Sequence, residues 1–230
     1  MLEYMQAKLS VVGTPIGNLE DITLRALRVL RECDVVLCED TRVTKKLLQH
    51  YEIDTQTLSY HSHSGEKKYE KIFELLHEEK HLVLVSDAGT PTISDPGAHL
   101  VKQIKDEFGD TVLIEAVPGA SAITAALSIS GMPSDRFTFF GFPPHKKGRE
   151  TFFDEVSDSK KTAIFYESPH RILKALTSIK DRNNSHKTVT IAREVTKMFE
   201  EVVSGSPAEV LEYFESNKEK VKGEFVVIVS

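Results

Sequence analysis

Short loops rich in glycine, proline and acidic residues carry most of the reactive potential of this sequence: Gly13-Thr14-Pro15-Ile16-Gly17-Asn18, Glu39-Asp40-Thr41-Arg42, Ser86-Asp87-Ala88-Gly89-Thr90-Pro91 and Pro118-Gly119-Ala120-Ser121-Ala122. Glycine lacks the Cβ that would keep a ligand away from main-chain amides and carbonyls, and proline holds the turn rigid, so such loops suit backbone recognition of a small molecule. Any one of them alone also reads as an ordinary tight turn between a strand and a helix. Neither GxGxxG nor GxxxxGK[ST] occurs, which disfavours a dinucleotide-dependent enzyme and a P-loop NTPase.

Titratable groups that could move a proton or steady an anion are Asp40 with Arg42, His61 with His63, Glu167 with His170 and Arg171, Arg193 with Glu194, and Glu224. The spacing singles out none of them. Glu39-Asp40-Thr41-Arg42 equally reads as the cap of a helix over 41–50. Arg193-Glu194 and Glu167-Arg171 equally read as an ion-pair network, which perturbs acids without catalysis. His61 and His63 would share one strand face, but no cysteine or third histidine is near, and Cys33 and Cys38 lack a CxxC spacing, so no metal site is expected.

The segment from Arg136 to Arg149 (Arg136-Phe137-Thr138-Phe139-Phe140-Gly141-Phe142-Pro143-Pro144-His145-Lys146-Lys147-Gly148-Arg149) ends in the densest positive cluster of the chain. Aromatics of this segment could stack on unpaired bases while Lys146, Lys147 and Arg149 meet phosphates, a combination suited to single-stranded RNA, but Phe137, Phe139 and their neighbours read rather as strand core. The pairs Lys45-Lys46 and Lys67-Lys68 lie in helical stretches and read as solvated faces.

Strands are expected where β-branched apolar runs recur, at 9–12, 34–37, 82–85 and 112–114, with intervening helices such as 21–31 (capped by Asp21 or Thr23) and 66–79. This βα alternation implies right-handed crossovers and a largely parallel sheet, whose ligands sit beyond the carboxyl ends of the strands. Each glycine- and proline-rich loop follows a strand, so all four are expected on one edge. After an Ala- and Ser-rich helix near 120–130 the texture changes to strands at 137–142, 162–166, 188–192, 201–204 and 224–229, with helices at 169–178 and 207–216. The expectation is an N-terminal α/β domain over 1–119 and a mixed α/β domain over 120–230, with the site in a cleft between them.

With 40% hydrophobic and 28% charged residues the 230-residue chain suits a globular enzyme. Its net charge of -6 excludes global electrostatic coating of nucleic acid, so any RNA contact must be local. The start lacks a signal-peptide pattern, and no run reaches the roughly 20 apolar residues a membrane helix needs. A reducing, cytoplasmic location is expected.

The loop set, together with Ser94-Asp95-Pro96-Gly97, Phe142-Pro143-Pro144, Tyr166-Glu167-Ser168-Pro169-His170-Arg171, Ala192-Arg193-Glu194 and Lys222-Gly223-Glu224-Phe225, resembles the tetrapyrrole-methylase superfamily and, within it, the 16S ribosomal RNA cytidine 2′-O-methyltransferases. The resemblance covers essentially the whole chain. It implies a two-domain fold that holds S-adenosylmethionine mainly through backbone groups. The implied cofactor contacts are Pro15, Asp87, Ala88, Gly89, Thr90, Ile93, Ser121, Ala122, Tyr166 and Ala192, with Asp87 the best-placed carboxylate toward a cationic ligand. Asp40, Arg42, Glu167, Arg193 and Glu194 are the catalytic candidates. The implied partners are 16S ribosomal RNA or the small ribosomal subunit and a second copy of the chain. Members of that family usually continue some tens of residues beyond the Gly-Glu-Phe strand, so a C-terminal segment that adds RNA affinity is expected to be missing here. A tetrapyrrole-precursor C-methyltransferase with the same fold and cofactor, and a noncatalytic nucleotide-binding module, are the alternatives.

Overall fold

A computed structural model describes residues 6–61, 66–182 and 187–230. It resolves into two compact units, Met1–Ser121 and Ala122–Ser230.

The first unit contains β1 (Lys8–Val12), α1 (Leu24–Glu32), β2 (Val35–Cys38), α2 (Thr41–His50), β3 (Gln56–Ser59), α3 (Glu66–His77), β4 (His81–Leu84), α4 (Ala98–Phe108) and β5 (Leu113–Val117). The strands form one sheet in the order β3-β2-β4-β1-β5. Every pairing in it is parallel, with Leu9 opposite Leu82 and Leu82 opposite Val35. Alternation along the strands gives the sheet two buried faces. Leu9, Leu37, Leu82 and Leu84 pack with Ile72 and Leu76 of α3 and Leu100 and Ile104 of α4. Val36, Val83 and Val85 pack with Ala26, Val29 and Leu30 of α1 and Leu48 of α2.

Helix α1 begins later than its apolar pattern predicts, because the Thr23 side chain accepts the Ala26 amide at 3.0 Å and the preceding residues, Leu19–Asp21, form a single 3₁₀ turn. Strand β3 had no sequence signal: Gln56-Thr57-Leu58-Ser59 is polar because it is an edge strand, incompletely buried.

The second unit contains α5 (Ala122–Ser130), β6 (Phe137–Phe139), α6 (Arg149–Asp158), β7 (Thr162–Glu167), α7 (Ile172–Asp181), β8 (Val189–Arg193), β9 (Glu201–Gly205), α8 (Pro207–Ser216) and β10 (Phe225–Val229). Its sheet is mixed, in the order β6-β7-β10-β8-β9: β6 runs parallel to β7 and all other pairings are antiparallel. Phe225, Val227 and Val229 of β10 pack with Phe153, Leu176 and Phe214 from α6, α7 and α8. Alternation turns Val226 and Ile228 to the other face, and α5 contacts β8, β9 and β10. Ser206 and Glu209 close a reciprocal capping box at the start of α8, with Pro207 in its first turn. Both units thus have the architecture that the apolar patterning predicts, a parallel first sheet and a mixed second one.

Candidate active site

In the first unit, parallel strands all end on the same edge, and hydrogen bonds tie the loops that leave them. Gly13 donates its amide to the Val117 carbonyl at 3.0 Å, joining the ends of β1 and β5. Thr14 and Gly89 exchange backbone hydrogen bonds of 2.9 and 3.1 Å, joining the loops after β1 and β4. The Thr90 hydroxyl donates to the Ala120 carbonyl at 3.2 Å, and the Asp40 amide donates to the Asp87 carboxylate at 3.1 Å. All four loops therefore converge.

Two glycines make this approach sterically possible. A Cβ on Gly13 would lie 2.8 Å from the Gly119 Cα, and one on Gly119 would lie 2.7 Å from the Gly13 carbonyl oxygen. Gly89 adopts φ +83°, a left-handed conformation that side chains disfavour. Pro15 and Gly89 are buried, Thr90 and Ser121 half-buried, and Asp87, Ala88 and Ile93 exposed along the rim.

The electrostatics of this rim suit a cation. Burial pushes the Asp95 carboxyl up to about 6; the Ser86 hydroxyl opposes the shift, and the charges of Glu39 and Asp87 reinforce it. Burial and the Asp87 charge likewise raise Glu39. A sulfonium near these mutually repelling carboxylates would relieve the repulsion, so the donor chemistry fits S-adenosylmethionine. Asp40 differs: hydrogen bonds from the Arg42 side chain and amide hold it down at about 2. Its carboxylate caps α2 and grips the guanidinium in two places, at 3.0 and 2.6 Å, while the Arg42 side chain is 85% exposed.

In the second unit, Tyr166, Val226 and Ala192 form one rung of the sheet and Glu167, Phe225 and Arg193 the next. Ala192 is buried and Tyr166 half-buried; Ala122 opens α5, half-buried. The Glu167 side chain is fully buried and shared by Arg171 at 2.9 Å and Arg149 at 3.4 Å. Its other engagement is the Ser168 amide, at 2.8 Å. Arg193 and Glu194, adjacent in sequence, find different partners: Arg193 pairs with Glu201 at 3.4 Å, and Glu194 with Lys197 at 2.9 Å. Burial opposes the charge of Glu194, but hydrogen bonds from Lys197 and the Glu224 amide outweigh it and lower its proton affinity.

Lys146 and Lys147 are exposed, whereas Arg149 lies on α6, over the Phe153 ring and against Glu167. The aromatics there are not all strand core. Phe140 packs against the core cluster, but Phe137 is 40% and Phe142 53% exposed. His61 is described, and His63 lies outside the described residues. No cluster of three metal-ligating side chains occurs among the described residues, and both cysteines are buried thiols. No helix among them is long and apolar enough to cross a membrane.

Sequence reasoning gave no role to Glu39 or Asp95, although both stand inside the quoted motifs, because burial and neighbouring charge set their proton affinity and neither has a signature in residue order. It read the aromatics around Phe142 as core, whereas Phe142 is exposed.

Residues 8–211 match the model of the Tetrapyrrole (Corrin/Porphyrin) Methylases. The chain is 43% identical over 223 residues to the Ribosomal RNA small subunit methyltransferase I of Thermotoga maritima, covering 97% of this chain and 98% of that one. It is 44% identical to the protein of the same name from Vibrio cholerae, covering 96% of this chain and 76% of that one. Among solved structures, diphthine synthase superimposes with a TM-score of 0.71 at 16% identity, over 97% of this chain and 90% of that one. Uroporphyrin-III C-methyltransferase from Thermus thermophilus does so with a TM-score of 0.64 at 19% identity, over 97% and 94%. These two likenesses show a common fold. The family match across both units and the identity to relatives over nearly their whole common length establish that this chain belongs to the tetrapyrrole methylase family, alongside the small-subunit ribosomal RNA methyltransferases I.

Proposed function

We propose that this protein transfers a methyl group from S-adenosylmethionine to the ribose 2′-hydroxyl of a cytidine in 16S ribosomal RNA of the small ribosomal subunit. The observation that carries the reading is the 43–44% identity, over almost the entire chain, to proteins named for that class of substrate. The converged loops and acidic rim support the cofactor assignment, and the exposed Lys146 and Lys147 support a local RNA contact. A cytoplasmic location and a homodimer go with this reading, and light scattering tests the latter.

When bound, the cofactor supplies an activated methyl on a cationic sulfur. The residues proposed to hold it are Pro15, Asp87, Ala88, Gly89, Thr90, Ile93 and Ser121 in the first unit and Ala122, Tyr166 and Ala192 in the second. Main-chain groups held by the Thr14–Gly89 bridge orient it without rearrangement, and orientation supplies much of the acceleration in an in-line displacement. A ribose hydroxyl is a weak nucleophile, so the chain must accept its proton or favour its alkoxide. Asp40, already paired, is a poor proton acceptor near neutrality. We assign it instead to holding Arg42, whose exposed guanidinium steadies negative charge on the RNA. Glu167, Arg193 and Glu194 are assigned to positioning, since each is already occupied by a partner within the second unit.

The test is incubation with methyl-labelled cofactor and small ribosomal subunits, with uroporphyrinogen as the competing acceptor. Label in RNA, at a cytidine whose 3′ linkage resists alkali, is the expected outcome. Label only in the macrocycle favours the small-molecule reading, and cofactor binding with no transfer to any acceptor favours a noncatalytic module.

A further inference from the structure

The segment after β6 is built to present one aromatic ring to solvent. Phe142, three residues beyond the end of β6, is 53% exposed, and Gly141 before it adopts φ +69°. Its ring lies tilted by 58° against Tyr166, centroids 5.3 Å apart, and Tyr166 in turn meets Phe139 edge-on at 5.0 Å. The backbone on either side is fixed. The Gly141 carbonyl accepts the Tyr166 amide at 2.9 Å. The Pro143 carbonyl accepts from Arg171 at 3.1 Å, and the Pro144 carbonyl from Arg149 at 3.3 Å. Both guanidiniums are themselves held by the buried Glu167. One buried carboxylate thus braces two arginines, and each arginine braces one carbonyl of the Phe-Pro-Pro turn. Exposed Lys146 and Lys147 follow within one turn of chain.

An exposed large apolar ring costs solvation, and here three side chains and two prolines are spent on keeping it exposed and still. A flat, π-rich group carrying adjacent negative charge is the partner chemistry this combination complements, and an unpaired nucleotide has both features. We propose that Phe142 is the stacking platform for an unpaired nucleobase of the substrate RNA, that Lys146 and Lys147 hold its flanking phosphates, and that Glu167 is the positioning residue that sets the platform through Arg149 and Arg171. The inference rests on the RNA-methylation reading and assigns the residue that selects a single-stranded target. Because Phe142 touches Tyr166, a proposed cofactor neighbour, the stacked base would be held beside the reacting centre.

Two measurements test it. The first is fluorescence of a uridine-rich oligoribonucleotide carrying one 2-aminopurine, titrated with wild type, Phe142→Leu and Phe142→Tyr. Wild type and the tyrosine variant should quench the probe, and the leucine variant should not quench and should bind about tenfold more weakly, within the range of base–aromatic stacking. The second is methyl transfer to small ribosomal subunits, where Phe142→Leu should raise KM for the subunit about tenfold, leave cofactor affinity unchanged, and be rescued by tyrosine. No quenching by wild type, equal quenching by the leucine variant, or a leucine defect explained by a change of oligomeric state overturns the proposal. Failure of wild type to label subunits while it still quenches the probe would instead overturn the methylation reading.

Discussion

Gly13 and Gly119 stand back to back where β1 and β5 end, so close that a Cβ on either would fall within 3 Å of the other's backbone. The contact involves main chain on both sides, so no side-chain rotation can relieve it. Gly119→Ala is expected to force the loops after β1 and β5 apart, at a cost of about 1–3 kcal/mol of stability. A lowered denaturation midpoint together with weakened cofactor binding by calorimetry is the expected result; a variant unchanged in both would mean the two loops yield freely.

Gly89 tests the cofactor loop more directly. At φ +83° any side chain adds strain of roughly 1–2 kcal/mol, and its Cβ would also sit 3.3 Å from the Ile16 side chain. Gly89→Val should therefore remain folded by circular dichroism, melt at a lower temperature and lose cofactor binding. Retained affinity would remove Gly89 from the set of cofactor contacts.

The raised proton affinity of Asp95 makes stability depend on pH in a definite direction. The folded protein holds this proton up to about pH 6, whereas the unfolded chain releases it near 3.8, so the native state binds more protons between those values. The stabilisation is complete below about pH 4 and is lost as pH rises through 6. Asp95→Asn should accordingly be stabilised relative to wild type at pH 7.5, and the difference should shrink on acidification to pH 4.5. Urea denaturation at the two pH values checks it, and a difference that grows toward acid would contradict the assignment.

Glu167→Gln leaves two arginines sharing an uncharged partner in a buried position. Breaking such an arrangement should destabilise the second unit by about 3 kcal/mol. Arg171→Lys is the milder companion: it keeps the charge but loses the forked geometry that reaches both Glu167 and the Pro143 carbonyl. It should weaken RNA binding more than cofactor binding, as measured by filter binding and calorimetry on the same preparation. Equal loss of both would point to global disruption.

Replacing Lys146 and Lys147 together by alanine should weaken RNA binding and spare the cofactor. If each meets one phosphate of a single strand, the slope of log affinity against log salt should fall by about 1.4. An unchanged slope would make the two lysines ordinary surface.

Residue order alone determined the βα alternation, the parallel first sheet, the mixed second sheet and the four loops, because apolar periodicity and glycine-proline punctuation are local and survive translation into sequence. It also determined the family, since those loops occur in a fixed order along the chain. Tertiary structure decided what each polar side chain does. Asp40 and Arg42 are two residues apart and pair with each other, but adjacent Arg193 and Glu194 take different partners, because β8 ends at Arg193 and the backbone turns at Glu194, φ +52°, where its carboxylate meets Lys197. Arg149 looked like part of a basic tip and became a brace because its helix turns it toward Glu167, eighteen positions away in sequence. Phe142 looked like core of a strand over 137–142 and is exposed to solvent, because β6 ends at Phe139 and the chain turns at Gly141, φ +69°. Pairing, burial and exposure depend on contacts between distant segments, and no window of sequence contains them.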